Sequence, residues 1–178
     1  VLQKCVGERG VEAGALVRAA AAVSAPLDLM AAGEALERGF NRVYARMFLA
    51  TLVAKSMDMI ARFPGLFDGE RAARARTLRE FDDAVTAPLH GFADVTDYWT
   101  RASSKPLLRH IRVRTLILNA RNDPFLPAQH LPGRDEVSAA VTLEFPATGG
   151  HVGFLSGPFP GHLRWLPERV FAFFDQTG

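Results

Sequence analysis

Arg114-Thr-Leu-Ile-Leu-Asn-Ala-Arg-Asn-Asp-Pro-Phe-Leu-Pro127 joins an uncharged apolar run to a polar cluster closed by two prolines. Thr115 to Leu118 is leucine-rich and β-branched, which predicts a strand covered on both faces, as in a parallel sheet. Asn119, Arg121, Asn122 and Asp123 follow at once. Open α/β sheets place their chemistry beyond the carboxyl ends of their strands. Asp123 sits there, ahead of a proline whose ring fixes the next φ angle. A second segment has the same build: Val141-Thr-Leu-Glu-Phe145, then Pro146-Ala-Thr-Gly-Gly-His151. A histidine that takes and returns a proton needs its second ring nitrogen held in one tautomer, and a buried carboxylate does that. Asp123 and His151 are therefore the candidate catalytic pair. Gly149 and Gly150 let the loop before the imidazole turn sharply.

Upstream, Val1, Leu2, Cys5 and Val6 recur at helical spacing and stop at Gly7 and Gly10. Val17 to Ser24 reads as a small-residue buried strand with Asp28 just beyond it. From about Gly33 to Ala93 the pattern is helical. Phe40, Val43, Tyr44, Met47, Phe48, Leu52, Met59, Ile60 and Phe63 form an apolar stripe, expected to be core. Asp68 is placed to cap the next helix, where Leu78, Phe81 and Val85 face inward. Arg71, Arg74, Arg76 and Arg79 are interleaved with acids and read as a solvated face. The segment from Ala87 to Asp94 breaks the helix, and Val95 to Ala102 forms a short aromatic one. In the last helix Pro167 suits the first turn, with Leu166, Val170, Phe171 and Phe174 packing inward. Strands alternating with helices predict a parallel α/β sheet. Three strands are too few to bury both faces and both edges of such a sheet.

The totals narrow the function. At 178 residues and 48% hydrophobic content, the chain is one domain or a core with one large insertion. A net charge of +2 argues against a nucleic-acid partner. No apolar run reaches the length of a membrane span, and no signal-peptide pattern opens the chain. The single cysteine, Cys5, excludes an internal disulfide and fits the cytoplasm. His90, His110, His130 and His162 are scattered, with no carboxylates at metal-ligand spacing, so no metal and no cofactor are expected.

Asn119-Ala-Arg-Asn-Asp123-Pro-Phe-Leu-Pro127 and Gly149-Gly-His151-Val-Gly-Phe154 resemble the acid and histidine motifs of the α/β-hydrolase superfamily, and more narrowly its YheT-like branch of hydrolases and esterases. Phe81-Asp-Asp-Ala-Val-Thr-Ala-Pro-Leu-His-Gly-Phe-Ala-Asp94 with Tyr98 resembles that branch's linker from cap to core. So does Ser24-Ala-Pro-Leu-Asp28 with Gly39-Phe-Asn-Arg-Val-Tyr44. The resemblance implies the C-terminal part of an α/β-hydrolase: the last three core strands, with a helical cap inserted between the first and second. It places core at 1–32, cap at 33–94 and core again at 95–178. It implies hydrolysis of an apolar carboxylic ester through an acyl-enzyme, with His151 as base then acid and Asp123 as its orienter. His90, Phe92 and Phe154 are candidates for lining the substrate pocket.

One motif departs from the pattern. The family carries a G-x-S-x-G elbow whose serine is the nucleophile. Ser24, Ser56, Ser103, Ser104, Ser138 and Ser156 all lack that surround. The expectation is that the chain starts a few residues after such a serine, as the back part of a longer protein, and is inactive alone. The exposed sheet edge at Val17 to Ser24 would then seek a partner and promote self-association. The rival reading is a non-catalytic binding or interaction module derived from a hydrolase.

Overall fold

A computed structural model describes residues 1–176. In chain order the elements are α1 (Leu2–Arg9), β1 (Ala19–Val23), α2 (Leu29–Leu36), α3 (Asn41–Arg62), α4 (Gly69–Arg74) and α5 (Leu78–Phe81). A π turn, Asp82–Thr86, runs into α6 (Ala87–Leu89). Then come α7 (Val95–Ala102), β2 (Arg114–Leu118), β3 (Val141–Glu144) and α8 (Trp165–Asp175). The chain divides into two compact units. One comprises Val1–Asp28 together with Ser103 onward, and the other is Leu29–Ala102.

The first unit is built on a parallel three-stranded sheet in the order β1-β2-β3. Alternation along the central strand β2 sends its side chains into two separate layers. Ile117 packs with Val6 of α1, Leu27, Leu108, Ile111 and Val141 on one face. Leu116 and Leu118 pack with Ala120, Phe154 and Phe173 on the other, where α8 lies. The continuous apolar run of β2 thus has the cause expected of it: both faces are covered. In α8, Leu166 and Phe174 turn inward as their spacing predicts. Phe171 does not: it is 66% exposed, and Phe173 is buried in its place. The helix is rotated so that Phe173 and Trp165 both meet the sheet layer, and position 171 lies off that face.

The second unit is wholly helical. It takes in α2 and α7, which pack against each other, and so reaches beyond residues 33 and 94 at both ends. Asp68 caps α4 by accepting the Arg71 N–H at 3.0 Å. Phe81, Ala84 and Val85 pack with Leu49, Phe67 and Ala72. One expectation fails here. The apolar stripe read along α3 is not core: Phe40, Val43, Tyr44, Met47 and Phe48 are exposed, as are Leu52, Met59 and Phe63, and of its residues only Ile60 packs inward. Only from Leu49 onward does α3 bury a face, with Val53, Met57 and Ile60 packed beside it. The helix breaks within Ala87 to Asp94 as expected, although not at Pro88 itself. The wider π turn before Pro88 accommodates a ring that has no N–H to give, and the helix ends after Leu89.

Asp82, within that turn, accepts from Trp99 Nε1 at 2.8 Å and from Thr86 Oγ1 at 2.6 Å. Burial nevertheless raises its carboxyl above the usual range, and the two hydrogen bonds offset that only in part. Asp83, one residue on, is lowered, first by the Val95 N–H and then by Arg71. No helix among the described residues is long and apolar enough to cross a membrane.

Candidate active site

The carboxyl ends of β2 and β3 carry the loops that hold Asp123 and His151. Pairing continues past both strands: Asn119 N–H donates to the Glu144 carbonyl at 3.1 Å, and Arg121 N–H to that of Pro146 at 2.8 Å. The two loops therefore leave the sheet side by side. The Asp123 side chain is fully enclosed (0% exposed), whereas that of His151 is 37% exposed. One Asp123 oxygen accepts the Phe125 N–H at 2.9 Å, an Asx-type turn across Pro124. The other lies 2.9 Å from His151 Nδ1. A carboxylate can only accept, so Nδ1 carries the proton in this pair and Nε2 is left as the basic nitrogen. A carboxylate-oriented imidazole of this kind can take a proton from a hydroxyl and return it to a leaving group.

The Gly-Gly before the imidazole does two different jobs. A Cβ on Gly149 would lie 2.5 Å from the Phe154 ring and 2.9 Å from Ala120 Cβ, so only glycine lets the loop sit this close to the sheet layer. Gly150 adopts φ +62°, a region where a side chain is strained. Phe154, 3% exposed, stacks on Trp165 with ring centroids 5.2 Å apart and donates its N–H to Gly149 O at 2.8 Å. The structure gives it a packing position under the histidine loop rather than on an open surface.

His90 and Phe92 belong to the helical unit. His90 is exposed at the end of α6. Phe92 is half-buried, between the Tyr98 ring at 5.2 Å and the Arg101 guanidinium at 4.9 Å. Among the described residues no group of three or more His, Cys, Asp or Glu is arranged to hold a metal ion.

Three further side chains touch the histidine loop, none of them singled out by residue type. Asn122 Oδ1 accepts the Gly150 N–H at 2.9 Å. The edge of Phe125 meets the imidazole at 4.9 Å between centroids. Ser24, at the end of β1, donates its hydroxyl to the His151 carbonyl. Their signal in the sequence was position: Asn122 and Phe125 flank Asp123-Pro124, and Ser24 closes a strand.

No family model matches the chain, and no solved structure does. Curated relatives do. The Escherichia coli protein YheT, whose name proposes an esterase, is 39% identical over 156 residues, covering 86% of this chain and 46% of that protein. The chain belongs to the YheT-like branch of the α/β-hydrolases. Phospholipase ABHD3 of Mus musculus is 33% identical over 161 residues, 89% of this chain and 39% of its own length. An abhydrolase domain-containing protein of Dictyostelium discoideum is 31% identical over 117 residues, 63% of this chain. This α/β-hydrolase chain thus spans less than half the length of the curated relatives it matches. Its three parallel strands with flanking helices are of the α/β class expected of that family.

Proposed function

We propose that the chain supplies the acid and histidine of a serine-type carboxylic-ester hydrolase, with His151 as general base then acid and Asp123 as its orienter. One observation carries this: the enclosed Asp123 carboxylate 2.9 Å from His151 Nδ1, at the carboxyl ends of neighbouring parallel strands. The family's esterase and phospholipase names agree with it. The substrate is an ester with an apolar acyl group. In support, the helical unit, read as a cap, carries Phe40, Met47 and Phe48 exposed. His90 and Phe92 are candidates for contact with that substrate. No cofactor is needed for such a reaction, and a cytoplasmic site fits the one free cysteine.

None of the six serines lies in a G-x-S-x-G setting. The attacking hydroxyl and the oxyanion donors must then come from outside these 178 residues, and the isolated polypeptide is inactive. The test uses p-nitrophenyl acyl esters on two proteins: the 178-residue polypeptide, and the same polypeptide joined to the G-x-S-x-G region of YheT. The first is expected to show no turnover. The second is expected to show turnover that His151→Ala lowers by on the order of a thousandfold or more. Turnover by the polypeptide alone, or a joined protein indifferent to His151→Ala, overturns the reading.

The missing elbow motif favours one second reading, a binding module that uses the hydrolase scaffold without chemistry. A joined protein that folds but turns over no ester, with or without His151, would select it. Self-association through β1, an edge of the described sheet, is proposed under either reading and is checked by light scattering.

A further inference from the structure

The histidine loop is tied down more heavily than its chain length requires. It emerges beyond β3, yet its bonds come from two other strand ends. From β1, the Ser24 hydroxyl donates to the carbonyl of His151 itself. From β2, Asn122 Oδ1 accepts the N–H of Gly150, the residue before it. The Gly149–Gly150 and His151–Val152 peptide units, one on each side of the Gly150–His151 peptide, are therefore held by side chains from different strands.

Ser24 shows that this arrangement has a cost. It is buried, and it sits at φ 46°, one of two non-glycine residues with positive φ among those described. The other is Phe154, beneath the same loop. Left-handed backbone at a side-chain-bearing residue is uphill and persists where the surroundings over-determine it. Here the surroundings are the ladder bond from Ser24 N–H to Leu118 O at 2.8 Å and the bond to the histidine's carbonyl. Burial of the hydroxyl alone would be satisfied by any nearby acceptor; the acceptor found is the catalytic candidate's own peptide.

We propose that Ser24 and Asn122 are positioning residues that clamp the loop on both sides of the Gly150–His151 peptide, so that the imidazole keeps Nδ1 on Asp123 and Nε2 free for substrate. The inference rests on the acid–histidine pairing. It adds that the pairing is not self-sufficient: a part-exposed ring on a glycine-hinged loop would otherwise swing between Asp123 and water.

The test is read in the 178-residue chain by the imidazole proton on Nδ1 of His151, observed by NMR with ¹⁵N-labelled histidine. Wild type is expected to show a downfield, exchange-protected proton that Asp123→Asn removes. Ser24→Ala and Asn122→Ala are each expected to speed its exchange with water by roughly tenfold or more, since local opening sets that rate. Asn122→Asp, which keeps an acceptor for the Gly150 N–H, is expected to restore protection. Ser24→Gly relieves the backbone but removes the hydroxyl, so it should behave as Ser24→Ala in exchange even if it melts higher.

A signal that depends on Asp123 but ignores Ser24→Ala and Asn122→Ala overturns the clamp alone. Absence of the signal in wild type overturns the acid–histidine pairing and the clamp with it. Asn122 is exposed, so its variants are expected to fold and to carry the test if a Ser24 variant does not.

Discussion

The rim of the sheet and the first half of α3 treat opposite kinds of residue in opposite ways. At the rim, polar side chains that composition would send to water are enclosed or bonded: Asp123, Ser24 and Asn119 are buried. Along α3, aromatic and sulfur side chains that composition would send to the core stand exposed, with Phe40 at 74%. The difference is one of partners. Strand ends in a parallel sheet converge from several chain segments, so Asp123 and Ser24 find bonds there, and Asn119 donates its amide to Ala120 O while its Oδ1 stays without a partner. The apolar side chains at 40, 43, 44, 47 and 48 join no buried cluster, whereas Leu49, Val53, Met57 and Ile60 of α3 pack with Phe67, Ala72 and Phe81. An exposed patch of that kind marks a contact surface or an aggregation liability.

The contrast can be broken in order of effect. Phe154→Ala, under the histidine loop, is expected to cost about 3–5 kcal/mol in urea unfolding, the range for truncating a buried aromatic ring. Met47→Ala, although also a large apolar residue, is expected to stay within about 0.5 kcal/mol. Equal losses at the two sites would erase the distinction. Gly149→Ala is expected to cost about 1–3 kcal/mol, because a methyl group there meets the Phe154 ring and the neighbour must give way. A neutral Gly149→Ala would mean that the loop can lift without penalty, contrary to the close approach seen.

Asp82 sharpens the comparison, since it is a carboxylate that the helical unit holds at a loss. Its folded-state pKa is raised by burial, so the charged form costs stability above that pKa. The cost is relieved as pH falls through the folded pKa toward the ordinary carboxylate value. Wild type is therefore expected to gain stability relative to Asp82→Asn on acidification from about pH 7 to 4, in paired thermal melts. Asp83 and Glu136, whose pKa values are lowered, lose their contributions over acid pH, but both proteins carry them and the difference cancels. A gap between the melts that stays constant with pH would contradict the raised value. Smallest of all in stability should be a Met47→Ser, Phe48→Ser double variant. It is expected to melt nearly as wild type while light scattering shows less association; unchanged scattering would mean that the exposed face is inert.

Much of the site was legible because its signals are local. The apolar run ending at Leu118 predicts a two-face-covered strand, and the observed β2 is Arg114–Leu118. Val95–Ala102 matches its helical reading at both ends. The pairing of Asp123 with His151 follows from two loops leaving β2 and β3, which lie side by side and parallel. The stripe on α3 was misread for the converse reason. Helical spacing reports that apolar residues share a face, not that anything covers it. In α8 the difference between Phe171 and Phe173 is a rotation of the helix, which several apolar neighbours permit equally well.

Residue chemistry by itself determined the apolar run of β2 and the turn at Asp123-Pro124, because each depends on backbone sterics or on periodicity within a few residues. Tertiary structure alone decided which groups hold the histidine. Ser24 lies 127 residues from His151 and Asn122 lies 28 from Gly150, and only the lateral order of the strands brings those side chains to that loop.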